Sequence, residues 1–245
     1  MRVIKPSQIA VFVALVCVAA ILALATVNMM FGRLPLGDFR GVALVVAALF
    51  VFYVYGVVIY RIFLHFAPLQ PGEIHAGSRQ EFIYHVYVLF YLILFYPIMR
   101  SGFPPAPFMR LFYLALGARL GANTYSQGIL HDPLFIDIGA NSVIGQSALL
   151  IPHVIEGRTL AHFPIRIGNN VTVGAHAVVL SDVTIGDHAI VATGAVVLKG
   201  TRIGAGEVWG GVPARLLRKT DIATASLSPK AGVVEVHGTF PTGHS

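Results

Sequence analysis

Residues 167–208 read IGNNVT-VGAHAV-VLSDVT-IGDHAI-VATGAV-VLKGTR-IGAGEV, and every sixth residue, Ile167, Val173, Val179, Ile185, Val191, Val197 and Ile203, is β-branched. Four residues beyond each stand Val171, Ala177, Val183, Ala189, Ala195, Thr201 and Glu207, nearly all small or β-branched. A helix of period 3.6 would scatter every sixth residue around its circumference, whereas β-branched side chains suit short strands packed against neighbours. Each hexad therefore reads as one short strand and a turn. Gly168, Gly174, Gly186 and Gly204 at the second positions, with Asn169, Asn170, Asp182, Asp187 and His188 close by, are turn residues. Leu180 and Leu198 depart from the glycine rule but lie eighteen apart, as do successive members of Ile167, Ile185 and Ile203. Three strands and eighteen residues per coil make a solenoid whose coils stack.

The phase extends upstream: Leu120-Gly121 stands eighteen before Ile138-Gly139, and Ile144-Gly145 and Leu150 follow in step. It then breaks. Leu150 to Ile167 is seventeen residues, one short of three hexads, and Glu156 to Pro164 lacks the pattern. A solenoid that stops stacking and resumes out of phase extrudes a loop, expected over residues 155–166, and loops on rigid scaffolds commonly carry sites. His153, in Ile-Pro-His-Val, stands just ahead of it.

The hexads, followed by Trp209-Gly-Gly-Val-Pro-Ala-Arg215 and Leu-Leu-Arg218-Lys219, resemble the hexapeptide-repeat acyltransferases over about residues 110–219. Stretches such as LGARLG, PLFIDIGANSVIG and WGGVPA are similar to membrane-attached members and to the repeat segments of nonribosomal-peptide-synthetase-like proteins. The resemblance implies an all-β left-handed parallel β-helix, an exception to right-handed crossovers. It also implies a homotrimer with acetyl-CoA bound between subunits, and a histidine general base at His153, ahead of the restart Pro164-Ile-Arg-Ile-Gly168. Such chemistry needs a base because a protonated hydroxyl or amine is a poor nucleophile, and imidazole titrates near the working pH.

Around that base, Glu156 is expected to orient the ring, a backbone carbonyl being the alternative, and His162 in the loop either touches the acceptor or is solvated. On the donor side, Gly174, Ala175, Ala192 and Thr193 would let a thin pantetheine arm lie along the helix, while Lys199, Arg215, Arg218 and Lys219 would meet the phosphates. Trp209 would stack on adenine or fill the open end of the β-helix. A backbone N–H near Gly168 or Gly174 is the expected oxyanion donor. Two other classes stand beside this one. A non-catalytic trimeric scaffold would use the repeat face for binding. A γ-carbonic-anhydrase-like enzyme would bind zinc through three histidines, and His176 and His188 with His153 raise it. That family's H-x4-H spacing is absent from the repeats, so no metal is expected.

Composition places the rest. At 245 residues, 56% hydrophobic and 11% charged, the chain is too apolar to be wholly soluble. Its net charge of +6 forms no basic stripe interleaved with aromatics, which argues against nucleic acid and for anionic lipid or a phosphate. The single Cys17 excludes internal disulfides. Residues 9–31 and 42–60 are uncharged runs long enough to span about 30 Å of hydrocarbon. A cleaved signal peptide is the alternative for the first. The aromatic-rich stretch 82–99 reads as a helix packed against these or lying at the interface, a third span, which would put the repeats opposite the N-terminus, being the alternative. Residues 1–107 are thus a membrane region, 110–219 the catalytic domain and 220–245 a loosely ordered tail. Both termini then face the cytoplasm at the inner membrane. An anchored transferase points to an amphipathic or lipid-linked acceptor.

Overall fold

A computed structural model describes residues 3–35 and 37–219; the expectation for the tail, 220–245, lies outside the described residues. The N-terminal part is helical. Helix α1 (Pro6–Phe31) opens on Pro6, with the Gln8 side chain accepting from the Lys5 backbone N–H at 2.6 Å, and α2 (Arg40–Phe66) returns alongside it. Val13, Ile21 and Leu24 on α1, and Val45, Val46 and Phe50 on α2, are exposed. Such a face is stable in hydrocarbon and costly in water. Thr26 and Tyr55 satisfy each other between the two helices at 2.9 Å.

A third helical stretch begins as α3 (Arg79–Leu89), passes through a π-helical turn, Phe90–Phe95, and ends in α4 (Tyr96–Ser101). The segments Pro6–Phe31, Gly37–Phe66 and Arg79–Ser101 are all long and apolar enough to cross a membrane. The third differs in what it touches. Phe90 meets Phe12 of α1 and Tyr60 of α2, while Tyr84, Tyr87, Tyr91 and Tyr96 contact the repeat domain through His162, Asp132 or His131. Helix α5 (Ala106–Leu116) then covers the start of the repeats, where Arg110 donates to the Gly121 carbonyl at 3.0 Å and Tyr113 to that of Gly128 at 3.1 Å.

From Arg119 the chain winds into a three-faced parallel β-helix. Face one stacks Arg119–Leu120, Ile136–Ile138, Ile165–Ile167, Thr184–Ile185 and Arg202–Ile203. Face two stacks Tyr125–Ser126, Val143–Ile144, Thr172–Val173, Ile190–Val191 and Glu207–Gly210, with Arg215–Lys219 added antiparallel. Face three stacks Ile129–Leu130, Leu149–Leu150, Val178–Val179 and Val196–Val197. Ile167 pairs with Ile185 and Ile185 with Ile203, so the eighteen-residue coil holds. The β-branched series points inward: Val173, Val179, Val191 and Val197 are fully buried, as are Ala177, Ala189 and Ala195.

The corners need left-handed backbone, which Asn141, Asn170, His176, Asp182 and His188 adopt at φ of 54–59°. At Gly174 the need is steric, since a Cβ there would stand 2.5 Å from the Thr193 nitrogen of the next coil.

Two irregularities share the corner between faces three and one. Ile144 pairs with Val173 and Leu150 with Val179, twenty-nine residues apart, so eleven residues are inserted into one coil. The expected loop is instead a β-hairpin, His153–Glu156 with Thr159–His162, turning at Gly157 (φ 58°). The linker strand Gly72–Glu73 extends it to three strands. One coil earlier, Ser126 and Leu130 are only four apart on successive faces, and Leu130 to Ile138 is eight, which leaves two extra residues for the 3-10 turn Pro133–Phe135.

Candidate functional site

The two excursions bring His131 and Asp132 against His153. Asp132 takes left-handed backbone (φ 45°), is buried, and accepts from His153 Nδ1 at 2.6 Å and from the Tyr87 hydroxyl at 2.8 Å. Burial alone would raise this carboxyl, but the hydrogen bond from His153, the nearby imidazoles and Tyr87 hold it at about 2. Burial works against a charged His153, and the bonded carboxylate overrides it, so its pKa lies above 6.5. His131, bonded through Nδ1 to the Tyr91 hydroxyl at 2.8 Å, goes the other way: burial lowers it more than Asp132 raises it. His162, opposite His153 in the hairpin register, is fully buried and stacked on Phe135 at 4.7 Å. Its Nε2 is 3.9 Å from Asp132, neither ring nitrogen has a hydrogen bond, and burial lowers its pKa.

These groups border a cavity of about 640 Å³. Its lining is largely apolar, with Ile4, Val88, Leu92 and Tyr96, and includes Ile155 and Arg158 of the hairpin. With Nδ1 of His153 committed to Asp132, Nε2 is the nitrogen available to a molecule in the cavity. That is the arrangement of a carboxylate-oriented general base.

Several expected residues sit elsewhere. Glu156 pairs with Lys199 at 2.5 Å, so it does not hold the His153 ring; Asp132 does. Lys199 is thereby engaged on the hairpin side. His162 is a buried strand residue and not a solvated loop residue. Gly174 and Ala175 stack over Ala192 and Thr193 at the corner between faces two and three, where Gly194 N–H bonds the Ala175 carbonyl at 2.9 Å. His153 is on a different corner, so one chain does not join the two sets.

Arg215, Arg218 and Lys219 are exposed on the terminal strand, near the Ala192 corner, where Leu217 and Ala192 both flank Gly210. Trp209 packs on the core and donates to Glu207 at 2.9 Å, a bond that lowers the Glu207 carboxyl. The backbone N–H groups of Gly168 and Gly174 are bonded within the ladder, to the Ile185 and Val191 carbonyls at 2.8 and 2.7 Å, which removes them as oxyanion donors in this conformation. His176 and His188 occupy two other corners, and the described residues gather no group of three His, Cys, Asp or Glu able to hold a metal.

Asp132 and His131 escaped the sequence reading. The signal was a local phase error: six residues past Ser126 falls on Asp132, while the inward residue is Leu130.

Known proteins share parts of this chain. The bacterial transferase hexapeptide (six repeats) family matches residues 164–199, so the solenoid carries that repeat. Gamma carbonic anhydrase 1, mitochondrial, of Arabidopsis thaliana is 42% identical over 95 residues, 38% of this chain and 30% of that protein. Gamma carbonic anhydrase 2 of the same plant is 37% identical over 118 residues, 39% of this chain and 41% of that protein. The chain thus spans less than half the length of these curated relatives. Among solved structures, a hexapeptide-repeat-containing acetyltransferase from Vibrio cholerae is 28% identical, with 42% of this chain and 62% of that chain covered and a TM-score of 0.39. A galactoside acetyltransferase in complex with coenzyme A is 20% identical, covering 71% and 84%, with a TM-score of 0.38.

Proposed function

We propose that this chain is a membrane-anchored acyltransferase that moves an acetyl or other acyl group from acyl-CoA to a hydroxyl or amine. The observation that carries this is the His153 ring, fixed at Nδ1 by buried Asp132 and opening on the cavity. His153 takes the acceptor's proton, and Asp132 holds the tautomer and stabilises the imidazolium that results. A positioned base contributes about 100- to 10,000-fold. The apolar wall of the cavity favours an amphipathic or lipid-linked acceptor whose hydroxyl or amine reaches His153 while its apolar part lies against Val88 and Leu92.

Ile4, two residues before α1, and His153 border the same cavity, which supports an even number of crossings. Contacts from Tyr84 to Tyr96 with the repeat corner support a third stretch lying between α1, α2 and the repeats. The catalytic side then faces the cytoplasm, which supplies acyl-CoA, with α1 and α2 in the inner membrane. Acyl-CoA would lie along Gly174, Ala175, Ala192 and Thr193, its phosphates near Arg215, Arg218 and Lys219. Because those residues and His153 stand on different corners, a neighbouring copy completes the site. A homotrimer with a left-handed winding, as the repeat family resemblance implies, fits that need.

The test is thiol release from acetyl-CoA by the full chain in lipid. Release by wild type and its loss in His153→Ala is the expected result; equal turnover in both removes the catalytic assignment and leaves a binding scaffold. The likeness to gamma carbonic anhydrases supports a second reading, zinc-dependent hydration of CO2. With His153, His176 and His188 at three corners, it needs ligands from more than one copy. Stoichiometric zinc and CO2 hydration by the purified protein would replace the first reading.

A further inference from the structure

Besides His153, the cavity is lined by the imidazoles of His85, His131 and His162, to which no step has been assigned, and His131 is the one whose ring contacts that of His153. His131 and His153 are set up alike: each is bonded at Nδ1 to a neighbouring side chain, Tyr91 or Asp132, each lines the cavity, and the rings stand 5.8 Å apart at 88°. In both, Nε2 is left for the occupant. What differs is the partner. A carboxylate can only accept, so Asp132 takes the Nδ1–H of neutral His153 and leaves its Nε2 as a lone pair. A phenol carries one proton, and the Tyr91 hydroxyl has no hydrogen-bond partner other than His131 among the described residues. Given to Nδ1, that proton fixes the opposite tautomer, in which His131 Nε2 bears a hydrogen. Burial keeps this ring neutral more readily than its neighbour. Two neighbouring rings on one cavity, pushed apart in basicity, divide into a base and a donor.

We propose that His131 is a second catalytic residue whose Nε2–H donates a hydrogen bond to the thioester carbonyl oxygen as negative charge develops on it. This rests on the acyl-transfer reading. In the first step His153 Nε2 takes the acceptor's proton, the acceptor atom bonds to the carbonyl carbon, and the C=O π pair moves to oxygen, which accepts from His131. In the second step the C=O re-forms, the C–S bond breaks, and the departing sulfur receives the proton from His153. The role falls to a side chain because Gly168 and Gly174, the expected donors, have their N–H groups bonded within the β-ladder. A neutral donor suits it, since it stabilises the oxyanion without competing with His153 for the acceptor's proton.

The experiment uses the full chain in vesicles of phosphatidylethanolamine and phosphatidylglycerol, whose headgroups offer an amine and hydroxyls, with acetyl-CoA as donor. His131→Phe keeps a ring packed against Tyr91 and Tyr96 but has no donor, and His131→Gln keeps an N–H. Loss of one such donor costs about 100- to 1,000-fold in kcat. The expected result is that loss in His131→Phe with KM for acetyl-CoA unchanged, and partial recovery in His131→Gln. Wild-type kcat in His131→Phe, or a change confined to KM, overturns the proposal while leaving His153 as base. If His131→Phe does not fold, His131→Gln against His131→Leu decides on the same criterion. Wild type that releases no thiol brings down the acyl-transfer reading and this inference with it.

Discussion

A carboxylate buried among three imidazoles governs how this site responds to pH. In the proposed reaction His153 must be neutral to act as base, and its pKa is raised above 6.5, so kcat/KM should climb through a midpoint on the alkaline side of that value. Asp132→Asn removes the group that raises it. The midpoint should then move to lower pH, and the plateau should fall by about 100- to 10,000-fold as orientation of the ring is lost; an unmoved midpoint in the pH–rate profile would separate Asp132 from the base. Stability carries two signs. The Asp132 contribution is whole above its ordinary 3.8 and is lost as pH falls through about 2. The His153 contribution is whole below 6.5 and is lost as pH rises through its folded value. Thermal midpoints should therefore decline at both ends, and less so in Asp132→Asn. His153 was legible because it stands where the repeat visibly breaks. Asp132 was not, because a coil that is two residues short on one side and two long on the other still sums to eighteen between Leu120 and Ile138.

Among the elements, the hexad strands were readable to the residue, since a period of six with one inward β-branched position leaves a single register. Their energetics follow from stacking. Ile185 is buried between Ile167 and Ile203, and Ile185→Ala should cost about 2–5 kcal/mol, seen as a lowered denaturation midpoint. Gly174→Ala would drive a methyl into the Thr193 backbone and should cost about 1–3 kcal/mol, whereas at Gly194 the added carbon meets nothing within 4 Å and the cost, about 1–2 kcal/mol, comes from the left-handed backbone (φ 70°) alone. The hairpin was hidden for a different reason. Its two strands pair with each other and stack on no coil, so they carry no hexad, and its third strand, Gly72–Glu73, is about ninety residues away and only two residues long.

For the whole molecule, one buried apolar cluster runs from Phe12 on α1 through Phe90 to Ala214 beyond the last coil. The helical part and the repeat domain are therefore packed on each other. Exposed Phe50 lies near the middle of α2, and Phe50→Asp should disfavour insertion by about 3 kcal/mol, measured as a fall in the membrane-inserted fraction. That the first two runs are long apolar helices was evident from length and lack of charge. The third stretch was less so, because its tyrosines face a protein surface that composition does not reveal.

The clasp between Gly72–Glu73 and Thr159–His162 fixes an order of manufacture. A ribosome delivers α1 and α2 first, and they can meet as soon as both exist. Tyr87 and Tyr91 then wait, uncovered, for Asp132 and His131, and the linker strand waits longer still for its mate. The cavity is thus among the late parts of the chain to close, and a nascent chain stopped short of His162 has its paired helices but only part of the cavity lining.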